Sequence, residues 1–156
     1  MALLEARFGN DLQLLTNLEN QHDRDIGRDL KTQIRAETSL VDLKTLSGVQ
    51  DLQQALLLRF LTRAGEMEIL GHPEYGSRLH ELIGELNSET NRNRAKLFVL
   101  KSIADEPRIE KVLSISVTQN GSDPTRIDFD MSLKALTFDT PINLVFPFFL
   151  DTGASV

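Results

Sequence analysis

Between residues 102 and 117 the sequence reads SIADEPRIEKVLSISV, and its apolar period changes at the proline. Upstream, from about Ser88 to Ala104, a polar start (SETNRNRAK) gives way to Leu97, Phe98, Val99, Leu100 and Ile103, which reads as a helix. Downstream, Leu113, Ile115 and Val117 alternate with Ser114, Ser116 and Thr118, which is the period of a strand. Pro107 disfavours helical geometry at Glu106, so the helix must end there and the strand starts at once. Helices therefore precede a sheet, an α+β arrangement.

The rest of the sheet follows from the same alternation. Ile127, Phe129, Met131 and Leu133 alternate with Arg126, Asp128, Asp130 and Ser132. The intervening QNGSDP holds Asn-Gly and Asp-Pro, so a hairpin with a longer loop is the natural join. INLVFPFFL is strand-like, but Pro147 cannot donate to a ladder and belongs on an edge or at a bulge. An apolar edge strand of this kind invites pairing with another chain. In FPFF, Phe146, Phe148 and Phe149 have two readings: filling the core, or facing a neighbour.

Two more helices are expected before Ser88. In SGVQDLQQALLLRFLT, Ser47 and Gln50 have capping-box spacing, and Leu52, Ala55, Leu56 and Phe60 follow at helical intervals. Leu57, Leu58 and Leu61 widen the stripe, so this helix is buried on most sides. TRAGEMEILGHPEYGS carries glycines and a proline and reads as a turn-rich connection. Ser77 then caps a short helix whose face is Leu79, Leu82, Ile83 and Leu86. Residues 1–39 read as an N-terminal arm or extension, in which Leu30, Thr32 and Ile34 alternate with Lys31, Gln33 and Arg35 as in a short strand on a half-buried surface; residues 40–156 read as the domain. The expected fold is thus an arm, about three helices, then a small antiparallel sheet with an open edge strand.

Composition removes several function classes. A net charge of −6, with basic residues interleaved with acids, argues against a nucleic-acid partner. No apolar run is long enough to cross a bilayer and no signal-peptide pattern opens the chain, so cytosolic synthesis without a membrane partner is expected. The absence of cysteine excludes disulfides, thiolate metal sites and cysteine nucleophiles. His22, His72 and His80 are scattered without ligand spacing, so no metal site and no cofactor is expected. Asp128 and Asp130 share a strand face about 7 Å apart, near the spacing of glycosidase carboxylates, although acids on a wet sheet face are commonplace. DEPR admits a plain helix stop with exposed charges, or a stiff corner presenting Glu106 and Arg108 to a partner.

Taken in order, SGVQDLQQALLLRFLTRAGEMEILGHPEYGSRLHELIG, NRNRAKLFVLKSIADEPRIEKVLSISV and PINLVFPF resemble the baseplate wedge and sheath-initiator family of contractile phage tails and related injection systems, over about residues 40 to 150. The matching residues are the turn Thr62, Gly65 and Glu66, the helix start Tyr75, Gly76 and Ser77, and the triplet Glu106, Pro107 and Arg108. The chain departs from the family pattern in its longer arm and in Arg63, where a proline often follows the threonine. The resemblance implies a structural, non-enzymatic part of a baseplate, assembled in the bacterial cytoplasm. Glu106, Pro107 and Arg108 would dock on the wedge proteins. The edge strand Leu144, Val145, Phe146, Pro147 and Phe148 would meet first-ring sheath subunits by strand addition. Hub or inner-tube proteins are further candidate partners, and about six copies per baseplate are implied. Two other expectations stand beside it: a regulatory module like an anti-adaptor of similar fold, and a cell-wall hydrolase using Asp128 and Asp130.

Overall fold

The computed structural model of the chain describes residues 9–15, 30–136 and 138–151. The chain divides into two compact units, Met1–Ala55 and Leu56–Val156.

In the first unit, β1 (Asn10–Leu12) pairs antiparallel with β4 (Thr45–Ser47), and β2 (Thr32–Ile34) pairs antiparallel with β3 (Val41–Leu43). The turn between β2 and β3 closes through Ser39, at φ 55°, whose amide donates to the Arg35 carbonyl at 2.8 Å. Gln54 ties β1 down: its Nε2 donates to Leu12 O at 2.8 Å, and its Oε1 accepts from the amides of Leu14 and Leu15. Helix α1 (Val49–Leu61) crosses the division between the units. Ser47 and Gln50 were expected to cap it, but Ser47 ends β4 opposite Asn10, and Gly48 at φ 62° turns the chain into the helix.

The second unit is built on a three-stranded antiparallel sheet of β5 (Ile109–Gln119), β6 (Arg126–Ala135) and β7 (Ile142–Phe149), with β6 central. Helix α2 (Glu89–Ala104) packs on β5. Its N-terminus is capped by Ser88, whose side chain accepts from the Asn91 amide at 3.2 Å. The core is the inner face of β6 and β7: Ile127, Phe129, Met131, Leu133 and Ala135 are all 0% exposed. Phe146 joins this face to Phe129 and to Phe60 of α1, with ring centroids 5.7 and 5.5 Å apart. Apart from Ala135, each such buried side chain contributes about 1.5–3 kcal/mol relative to an exposed one.

The expected order of an arm, about three helices and one sheet is overturned. The described residues hold two α-helices, and strands lie on both sides of them in three separate sheets. The missing helix is a single 3₁₀ turn, Leu79–Leu82. Ile83 is extended and Gly84 has φ 89°, so the helix stops after one turn and Leu86 is left 82% exposed. Within the arm, Leu30 and Ile34 were expected on a half-buried face but are 50% and 72% exposed. In β5 the register shifts between Val112 and Ser114, which turns Val112 inward and leaves Leu113, expected in the core, 46% exposed.

Candidate functional site

Helix α2 ends against the proline corner, and the corner is closed by its own backbone. The Glu106 amide donates to Ile103 O at 3.0 Å, and the Ile109 amide donates to Glu106 O at 3.1 Å as β5 begins. The Arg108 carbonyl accepts from the Leu136 amide at 3.0 Å, just beyond the end of β6. Pro107 is exposed; Glu106 is 5% exposed. This differs from both readings of DEPR, since the carboxylate turns inward rather than toward a partner.

It turns inward because two guanidinium groups meet it. Arg108 donates through Nε to Glu106 Oε1 at 2.6 Å and through Nη2 to Oε2 at 3.3 Å. Arg59 of α1 donates through Nη2 to Oε2 at 3.4 Å. The Arg59 guanidinium also lies over the Tyr75 ring, 4.6 Å from its centroid. Burial pushes the Glu106 carboxyl upward, but the hydrogen bonds and charge of Arg108, with the charge of Arg59, outweigh it and hold the pKa below the ordinary value. Burial pushes the Tyr75 hydroxyl up, with Arg59 opposing it. Arg59 Nε is buried with no acceptor among the described residues.

The other two groups marked by resemblance form the adjoining joint. The Ser77 amide donates to Thr62 O at 2.8 Å and the Ala64 amide to Ser77 O at 2.9 Å, a short parallel bridge between the two roots of the connecting loop. Ser77 Oγ donates to Phe60 O at 2.6 Å and accepts from the Leu79 amide. Ser102 of α2 donates to Gly76 O at 3.1 Å. Gly76 has φ 109°, and a Cβ there would lie 2.6 Å from Arg63 O, so only glycine fits. Gly65 at φ 83° makes the turn in which Glu66 Oε2 accepts from the Arg63 amide. Thr62, Tyr75, Gly76, Ser77, Glu106 and Arg108 thus lie where α1, α2 and β5 meet, whereas Gly65 and Glu66 stand exposed in the turn beyond.

Sequence reasoning missed Arg59 and Ser102. The signal for Arg59 was present: a lone cation inside the apolar run LLLRFL cannot be buried without a counter-charge, and Glu106 is that charge. Ser102, within a run ending a helix, carried no such signal.

The remaining candidates are dispersed. Of the β7 residues, Leu144, Phe146, Pro147 and Phe148 are buried and Val145 is 59% exposed. Phe149 is buried as well, so the FPFF side chains fill the core. Asp128 is held by Arg126 Nε at 2.5 Å and by Asn120 Nδ2 at 2.7 Å, while Asp130 is exposed. His80 Nδ1 lies 3.2 Å from Ser77 O, His72 is exposed, and His22 falls outside the described residues. Among the described residues no group of three His, Asp or Glu side chains is placed to hold a metal ion, and no helix is long and apolar enough to cross a membrane.

No protein-family profile and no curated protein matches the chain. Among solved structures it is similar to a Geobacter sulfurreducens protein described as a candidate tail lysozyme, at 24% identity and a TM-score of 0.57, covering 67% of this chain and 93% of that one. At that identity the likeness shows a shared fold.

Proposed function

We propose that this chain is a structural component of a contractile tail, sitting on the core bundle of the baseplate wedges and templating the first ring of sheath. The observation that carries this reading is the junction itself. Of the residues singled out by resemblance to sheath initiators, Glu106, Arg108 and Tyr75 meet at Arg59, and Thr62, Gly76 and Ser77 form the bridge at the base of the same loop. A tail setting also agrees with the description of the solved neighbour.

In this reading the triplet divides its work. Glu106 holds the Arg108 fork in a fixed pose, and Arg108, whose side chain is 28% exposed, meets the wedge beside the exposed Pro107. A guanidinium already held by a carboxylate loses little freedom on docking. On the far side of the sheet from β5 lies β7, and in this reading it meets the incoming sheath subunit by strand addition. Each main-chain bond so added contributes about 0.5–1.5 kcal/mol, so one strand binds weakly. A ring of about six copies would raise the effective concentration of every further site.

Arg108→Ala tests the docking. The purified variant keeps a cooperative thermal transition yet fails to enter assembled tails; normal tails containing folded Arg108→Ala protein would refute the role. The neighbour's description favours a second reading, hydrolysis of cell wall. Asp128 and Asp130 would have to serve, but Asp128 is engaged by Arg126 and Asn120. Glu106, held ionised between two arginines, is poorly suited to donate a proton. Clearing of a peptidoglycan suspension by the purified chain, lost in Asp130→Asn, would establish that reading instead.

A further inference from the structure

The loop rooted at the Thr62–Ser77 bridge ends in two apolar side chains held out in water: Ile69 is 95% exposed and Leu70 is 70% exposed. Adjacent large apolar residues at a loop tip are costly to leave bare, and they stand on a segment that is already ordered. The Glu66 amide donates to Arg63 O at 3.1 Å, that of Glu68 to Gly65 O at 3.1 Å, that of Leu70 to Met67 O at 3.0 Å, and those of Gly71 and His72 to Glu68 O and Met67 O. A 3₁₀ turn, Glu68–Leu70, carries the tip, and Gly65 and Gly71, both at positive φ, bound it. Along the same loop stand three exposed glutamates, Glu66, Glu68 and Glu74, against one arginine, Arg63. None of the three is in an ion pair among the described residues.

We infer that this loop is a preformed plug, Ile69 and Leu70 entering an apolar socket rimmed by Lys or Arg on a different protein. The acidic collar selects the rim, since glutamates without a cationic partner brought against an acidic or neutral surface would lose water without compensation. The ordered backbone lowers the conformational cost of docking, which is what an exposed apolar tip needs to bind tightly through so small an area.

The test places a photo-crosslinking amino acid at position 69 of the full chain, made in its own cellular setting, and maps the adduct by mass spectrometry. One protein is expected, joined at an apolar segment flanked by Lys or Arg. The adduct should fall on the order of 10-fold or more with Leu70→Ser, and likewise with the combined reversal Glu68→Lys and Glu74→Lys, while the thermal transition of each variant stays in place. Adducts spread over many proteins, joined to a second copy of this chain, or indifferent to the reversal would overturn the plug. A single basic-rimmed partner outside any tail would keep the plug and sink the tail assignment. Tails that assemble normally with Ile69→Ser and Leu70→Ser, but not with Arg108→Ala, would sink the plug and keep the docking corner.

Discussion

The β2–β3 ribbon and the β6–β7 pair carry the same alternation, with opposite outcomes. In the ribbon Ile34 faces Val41 across the ladder, and both are about 70% exposed, at 72% and 69%. In the sheet Phe129 faces Phe146, and both are 0% exposed. Alternation sets which side chains share a face, but only a second layer buries that face. The β6–β7 face meets Phe60 of α1, whereas the ribbon has two strands and an exposed Arg35–Asp42 ion pair at 2.5 Å on its polar side. A two-stranded ribbon is marginal in water by itself, so its apolar side contributes little to the stability of the isolated chain.

The sharpest way to test this contrast is to truncate matched residues. Phe129→Ala should cost about 3–5 kcal/mol in chemical denaturation, because a fully enclosed ring leaves a cavity. Ile34→Ser, on the same kind of face, should fall within about 0.5 kcal/mol of the parent. Comparable losses from the two would mean that the ribbon is covered in the isolated chain, and the contrast would fail.

Between these extremes lie the charged groups. Glu106→Gln should cost about 3 kcal/mol, since it leaves Arg59 buried beside a neutral partner. The pH dependence follows from the lowered Glu106 pKa. A carboxyl more acidic folded than unfolded stabilises fully above its ordinary pKa of about 4.3 and loses that contribution as pH falls through the lowered value. The parent should therefore weaken more steeply than Glu106→Gln in melts taken below about pH 4; parallel acid curves would show that the carboxylate is not held by the arginines. Asp128→Asn should cost about 1 kcal/mol or less, as expected for a pair nearer water. A loss as large as that of Glu106→Gln would erase the distinction between the buried cluster and the sheet's wet face.

How much of this was legible in the sequence varies with how local each cause is. The β6 face was fully readable, because Ile127, Phe129, Met131 and Leu133 follow the strand period without interruption. So was the span of α2, expected from about Ser88 to Ala104 and found at Glu89–Ala104. The 3₁₀ turn at Leu79–Leu82 was not, because the i, i+3, i+4, i+7 pattern outweighed Gly84, whose left-handed backbone ends the turn. The bulge that exposes Leu113 depends on the register with β6, which no property of β5 alone specifies. At the site, the triplet and the two loop motifs were visible as separate signals. Tyr75 and Glu106 meet at Arg59, whose demand for a counter-charge could be read but whose partner, 47 residues away, could not.

The central claim, a passive scaffold docked at its corner and extended at its edge, is tested most directly by a cryo-EM map of contractile particles that contain the chain. The account predicts wedge density against Pro107 and Arg108 and a strand from another subunit running along β7. A particle in which β7 borders only solvent and the Arg108 corner touches no neighbour would contradict it.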